Sequence, residues 1–189
     1  MTTGGERTAY QGLTPADDEW LVIIDPQAIF ASPETSPWGS PLWAPTVPRI
    51  VALAEAFGPE RTVVTRFVAD AGLGGSWGPY YEDWPFALVP DDDPLYAVVP
   101  ELRSAARHVV TEPTFGKWGA GLRAIVGDQP RLALAGVSTD CCVIATALPA
   151  ADAGATVRVV ESACAGSSPE NHERAIAAMA LFGPQITIV

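Results

Sequence analysis

Lysine is almost missing from this sequence: ten of the 11 basic residues are arginine, and Lys117 is the one lysine. A chain that uses arginine wherever either cation serves marks Lys117 as a place where only lysine works. Histidine is nearly as scarce, at His108 and His172, and none lies between Arg66 and Arg107. A transition-metal site built on imidazole is therefore not expected, and no cofactor is called for. Three cysteines, two of them adjacent, make a poor disulfide framework, and no CxxC spacing offers zinc binding or dithiol redox work. The thiols are expected to be reduced. No apolar run approaches the roughly 20 residues that span a bilayer. The polar opening MTTGGERTAYQG lacks a signal-peptide core, so the expected compartment is cytoplasmic. Positive charge is also short, and a net charge of −11 disfavours nucleic acid and anionic membranes as partners. Small molecules remain.

What is present suits one domain. At 189 residues and 48% hydrophobic content the chain can bury a sizeable core. Residues 1–18 are polar, contain Gly4-Gly5 and Pro15, and are expected to form a flexible lead-in to a domain over 19–189. Apolar or β-branched runs predict strands at 20–24, 61–67, 107–110, 131–135, 156–160 and 185–189. Helical spacing predicts helices over 47–57, 115–126 and 171–182, and one following the paired cysteines. Strands alternating with helices imply an α/β fold, a parallel sheet with helices on both faces. Residues 31–45 carry four prolines and are expected to be loop. Residues 68–100 form a long excursion rich in tryptophan and tyrosine, expected to wall or cover a site, with one or two of its aromatics touching substrate.

The stretch 133–154, ALAGVSTDCCVIATALPAADAG, organises the rest. A short apolar run closes on Gly136 and Val137, and Ser138-Thr139-Asp140 supplies cap residues for a helix that begins with Cys141 and Cys142. Unpaired amides and the positive end of a helix dipole favour a thiolate there. Both cysteines could instead be small buried apolar residues. Successive helix positions point about 100° apart, so only one of the two is expected to face a given pocket. Asp25, at the end of the run WLVII, and Lys117 fall in other segments whose ends a parallel sheet gathers at its carboxyl edge. A neighbouring ammonium lowers a thiol pKa, and a carboxylate can shuttle its proton. Pro149 falls inside the cysteine helix, where it removes the amide that would bond the Ala145 carbonyl and is expected to kink the axis.

The string G-V-S-T-D-C-C-V resembles the signature of the isochorismatase-like cysteine hydrolases, the superfamily that includes nicotinamidases and N-carbamoylsarcosine amidase. The spacing D-P-Q-A-I-F and the segment T-E-P-T-F-G-K-W-G are similar to two further motifs of that family. The resemblance covers nearly the whole chain and implies a doubly wound, Rossmann-like three-layer sandwich with about six parallel strands. It implies that Asp25 is the catalytic acid/base, Lys117 the catalytic lysine and Cys142 the nucleophile. Backbone amides of Ser138 and Cys142 would form the oxyanion hole, and a cis peptide would immediately precede Ser138. Gln27 and Phe30 are implied near substrate, and Trp77, Tyr81 and Trp118 are the further aromatic candidates. The expected activity is hydrolysis of a C–N bond in a small amide or carbamoyl compound through a thioester, by a homo-oligomer. The alternatives are a vinyl-ether hydrolase of the isochorismatase type, which typically lacks the cysteine and binds a dicarboxylate, a Cys–His hydrolase using His172, and a degenerate member that only binds. Nicotinamidases place an Asp and two histidines after the second strand; here Asp70 stands without imidazole partners, so no metal is expected.

Overall fold

A computed structural model describes residues 13–189. Six strands, β1 (Glu19–Ile24), β2 (Thr62–Phe67), β3 (His108–Glu112), β4 (Arg131–Val137), β5 (Thr156–Ala165) and β6 (Ile186–Ile188), form one sheet in the order β3-β2-β1-β4-β5-β6. Every pairing is parallel. The winding direction reverses between β1 and β4, which opens a crevice at their carboxyl ends.

Side chains of β1 alternate between two cores. Leu21 and Ile23 point to the face covered by helix α2 (Trp43–Phe57), with its Ile50, Leu53 and Phe57. Val22 and Ile24 point to the other face, under α4 (Ala120–Val126), α5 (Ile144–Asp152) and α6 (Pro169–Ala180). All four β1 residues are fully buried, which is why β1 reads as an unbroken apolar run rather than an alternating one. This is the expected three-layer α/β sandwich.

The remaining helices, α1 (Ala28–Ala31) and α3 (Trp77–Asp83), precede and interrupt the loops over the crevice. Several boundaries differ from the sequence expectation. Helix α2 begins at Trp43, inside the stretch expected to be loop; Pro45 falls in its first turn, where a missing N–H costs nothing, and Pro48 is tolerated one turn on. The helix expected over 115–126 starts only at Ala120, because Gly116 and Gly119 hold residues 115–119 in an open loop. The excursion 68–100 contains α3 and the 3₁₀ turns Pro85–Ala87 and Pro94–Tyr96, each opened by proline, with Pro100–Leu102 continuing the series. Tyr96 anchors it: the ring is fully buried and its hydroxyl donates to the Ala87 carbonyl. Of the expected flexible lead-in, residues 1–12 lie outside the described residues, while Leu13 packs on the core and the Thr14 carbonyl accepts from Arg158.

Candidate active site

Gly136 sets the spacing at the crevice. Its φ is +118°, and a Cβ there would lie 2.2 Å from the Ile24 carbonyl oxygen. Only glycine lets β4 close on β1 this tightly, and the approach brings Asp25, which follows β1, towards Ser138, which follows β4. The Val137–Ser138 peptide is cis.

Asp25 is fully buried with φ +44°, a left-handed conformation that aspartate tolerates better than most residues. Thr65 of β2 holds it from the adjacent strand: the Asp25 amide donates to Thr65 Oγ1 at 3.0 Å, and Thr65 Oγ1 donates to Oδ1 at 2.6 Å. The other oxygen, Oδ2, lies 3.1 Å from Lys117 Nζ. It has no hydrogen bond of good geometry among the described residues, so it is available to a third group.

Lys117 is also fully buried. Its Nζ donates to the Thr114 carbonyl at 2.6 Å and sits 5.3 Å from the centre of the Phe67 ring. Its backbone amide donates to Thr146 Oγ1 of α5 at 3.0 Å, which pins the loop to the cysteine helix. The lone lysine is thus an interior group, and its one ionic partner among the described residues is Asp25.

Cys142 is 3% exposed. Burial pushes its thiol well above the ordinary range; the Asp25 charge adds to this, and Lys117 opposes both. Desolvation is the largest influence on this thiol and acts against the expected thiolate, with the Lys117 charge acting the other way. Cys142 thus lies beside a carboxylate oxygen with a free acceptor position.

The turn that carries it is also not the expected α-helical start. Residues Thr139–Val143 form a π-turn, with α5 following. The amides of Cys141 and Val143 both donate to the Ser138 carbonyl at 3.1 Å, skipping Cys142 between them. The widened turn brings both cysteines to one cavity, contrary to the 100° argument. Cys142 forms its floor; Cys141 is exposed at the rim, where desolvation and then the Asp140 charge push its thiol to about 11.

Two contacts fasten this turn to α6 and the residues just before it. Asp140 accepts from the Ser167 amide at 2.7 Å and its hydroxyl at 2.6 Å, and Thr139 Oγ1 lies 2.9 Å from His172 Nδ1. His172 is therefore committed to Thr139, which removes the support for a Cys–His pair.

The cavity has a volume of about 310 Å³ and is walled chiefly by rings, those of Phe30, Trp38, Phe67, Tyr80, Trp84 and Phe115. Of the expected substrate-binding residues, Phe30 lines it. Gln27 does not: its amide is spent on the Phe67 and Tyr96 carbonyls and the Phe67 amide, tying β1 to β2 and the excursion. Trp77 and Tyr81 stack on one another behind the wall, and Trp118 packs into the core on the other sheet face. Tyr80 and Trp84 take the places expected of Trp77 and Tyr81, because α3 turns that side inward. Trp38, Phe67 and Ser167 were not singled out from sequence; Phe67 had a usable signal, ending a strand at the carboxyl edge.

Fold and site together define a doubly wound α/β domain with a buried acid, lysine and cysteine at the switch point of its sheet. An isochorismatase domain model matches residues 19–188, and the chain belongs to that family, whose cysteine-hydrolase fold it has. Among solved structures it is similar to an isochorismatase family protein from Desulfovibrio vulgaris subsp. vulgaris str. Hildenborough, at 24% identity and TM-score 0.77 over 91% of this chain and 93% of that one. A cysteine hydrolase from Pseudomonas syringae pv. phaseolicola 1448A matches at 18% identity and TM-score 0.74, over 90% and 88%. A pyrazinamidase of Pyrococcus horikoshii in complex with zinc matches at 24% identity and TM-score 0.69, over 91% and 98%. No curated protein matches the chain.

The donor set does not fit such a zinc ion. Among the described residues no three His, Cys, Asp or Glu side chains are grouped to hold a metal. Asp70 accepts from the Gly72 amide, His108 packs edge-on against Trp20, and His172 is bonded to Thr139.

Proposed function

We propose that the protein hydrolyses a C–N bond of a small amide or carbamoyl compound, without a metal, through a thioester on Cys142. The observation that carries this is the fully buried Asp25–Lys117 pair, with an unbonded carboxylate oxygen, at the strand end next to Cys142. A charge pair with no solvent contact is expensive to bury, and a proton-transfer role accounts for it better than stability does.

Asp25 takes the thiol proton as Sγ attacks the carbonyl carbon. The oxyanion is met by the Ser138 and Cys142 amides, each such donor being worth about 2.7 to 4 kcal/mol. Collapse of the adduct breaks the C–N bond, and the proton on Asp25 passes to the departing nitrogen. Water, deprotonated by Asp25, then attacks the thioester; the C–S bond breaks, the acid leaves, and the sulfur regains its proton. Lys117 holds Asp25 in place and balances its charge through the cycle.

Incubation with a library of primary amides and carbamoyl compounds, followed by intact-mass measurement and ammonia release, tests the reading. An acyl adduct on Cys142 that is absent in Cys142→Ala supports it; no adduct with any member refutes it. Protein stripped with EDTA is expected to keep its turnover, and loss restored by zinc, iron or manganese would refute the metal-free part.

A further inference from the structure

The turn Thr139–Val143 closes on itself, since the Ser138 carbonyl takes both the Cys141 and the Val143 amides. Those bonds shape the turn, but its aim at the cavity needs anchors outside it. Two side chains reach outwards. Asp140 does so at the surface, where its bonds to Ser167 compete with water. Thr139 does so in the interior: it is fully buried, and the one hydrogen-bond partner of its hydroxyl among the described residues is His172, with Nδ1 2.9 Å from Oγ1. Neither Thr139 nor His172 lines the cavity, so neither touches a bound substrate there.

His172 is itself braced from three sides. Its Cβ is set against Gly166, where an added Cβ would stand 2.6 Å away, so a larger residue there would push the first turn of α6 off the end of β5. Gly166 follows Ala165, the partner of Val137 in the β4–β5 register, and Val137 immediately precedes Ser138. The Gly166 carbonyl accepts from Ser40 Oγ at 2.6 Å, which ties in the stretch that carries Trp38. Within α6 the His172 amide donates to the Ser168 carbonyl at 2.9 Å, and Ser168 Oγ caps the helix by accepting from the Asn171 amide at 3.2 Å. The sheet edge, the helix start and the cavity wall therefore all fix the imidazole, and the imidazole fixes Thr139.

We infer that His172 is a positioning residue: through Thr139 it holds the turn so that the Cys142 sulfur and the Ser138 and Cys142 amides keep one arrangement. Its kinetic consequence rests on the amide-hydrolysis reading above, whereas its effect on the thiols rests on geometry alone. The test uses His172→Ala, His172→Asn, His172→Gln and Thr139→Val. Asn carries its amide as far from the backbone as Nδ1 stands, and Gln carries it one carbon further, as far as Nε2. With the best amide of the library above, kcat is expected to fall about tenfold to a hundredfold in His172→Ala and His172→Gln, with KM changed less than about threefold, and to recover largely in His172→Asn. Thr139→Val is expected to match His172→Ala, and the double variant to lose no more than either alone. Iodoacetamide labelling, read by peptide mass, is independent of turnover. Release of the turn is expected to raise labelling of Cys142 relative to Cys141 by at least about threefold in His172→Ala, and His172→Asn to restore the original ratio. Equal losses in His172→Asn and His172→Gln, or losses that multiply in the double variant, would overturn the inference while leaving amide hydrolysis standing. If the unaltered protein released no ammonia from any amide, the proposed function would fall and the labelling would decide: a ratio raised in His172→Ala and restored in His172→Asn upholds the positioning role, and an unchanged ratio overturns it.

Discussion

Cys142 and Cys141 share a cavity but not an environment, and their difference is measurable. Cys142 lies beside the Asp25–Lys117 pair, whereas the charged neighbour of Cys141 is Asp140. Cys142→Ala is expected to lower turnover roughly a thousandfold or more, and Cys141→Ser to keep most of it, as measured by ammonia release. Because both thiols are raised, alkylation of Cys142 by iodoacetamide in the resting protein is expected to keep climbing with pH through the ordinary thiol range. A plateau at neutral pH would mean that a thiolate stands there after all. Lys117 gives a second separation. In Lys117→Arg the charge is kept but the broader guanidinium cannot hold both Thr114 and Asp25 in a fully enclosed site, so activity is expected to fall about a hundredfold or more. Lys117→Met strands a buried carboxylate and is expected to cost about 3 to 5 kcal/mol, seen as a lower denaturation midpoint.

Among the elements, the turn Thr139–Val143 and the loop 113–119 carry the site, and they differ in how far sequence revealed them. The string around Cys142 announces a strand, a turn and a helix, but nothing in it signals that the turn is π. That depends on the close approach of β4 to β1 at Gly136 and on the ties to α6, both long-range. Asp25 was legible for the same reason that Gln27 was misjudged: each follows a clear strand, but Gln27's partners lie 40 and 69 residues away and no local pattern shows them. The choice among the aromatics of α3 failed on a rotation of one position, which depends on what the helix packs against. Pro149, without an account from sequence, acquires one here. It leaves the Ala145 carbonyl without its helical donor, and Gly116 lies against that carbonyl, so that a Cβ would stand 2.7 Å from the oxygen. Gly116→Ala is therefore expected to displace the loop that carries Lys117. A kcat loss of about tenfold to a hundredfold, with KM changed much less, is the expected signature. Unchanged kcat would show that the loop can shift without moving the ammonium.

At the scale of the whole molecule the parallel sheet was accessible because apolar runs alternating with helices imply one, whereas the cavity wall, assembled from α1, the end of β2, α3 and the loops around them, was not. The same burial that makes the sheet readable loads the interior with weak acids. Burial pushes Cys164 of β5 from 9.0 to about 12, and Cys142, Tyr81 and Tyr96 are raised by the same cause. Each of these has a folded pKa above its unfolded one, so the unfolded chain loses the proton first as pH rises. The stability they contribute is complete below the unfolded thiol value near 9 and declines from there towards about 12. Each thiol that titrates only in the unfolded chain adds a slope of up to about 1.4 kcal/mol per pH unit. The denaturation midpoint is therefore expected to be nearly flat between neutrality and pH 8.5 as far as these groups act, then to fall steeply. Cys164→Ala removes one such group at a residue outside the cavity lining, where the sulfur's neighbour is the Leu134 carbonyl at 3.8 Å. Its starting stability will be lower through lost packing, but its decline between pH 9 and 11 should be shallower than that of the unaltered protein. Parallel declines for the two would mean that the buried thiol is not what the alkaline transition reports.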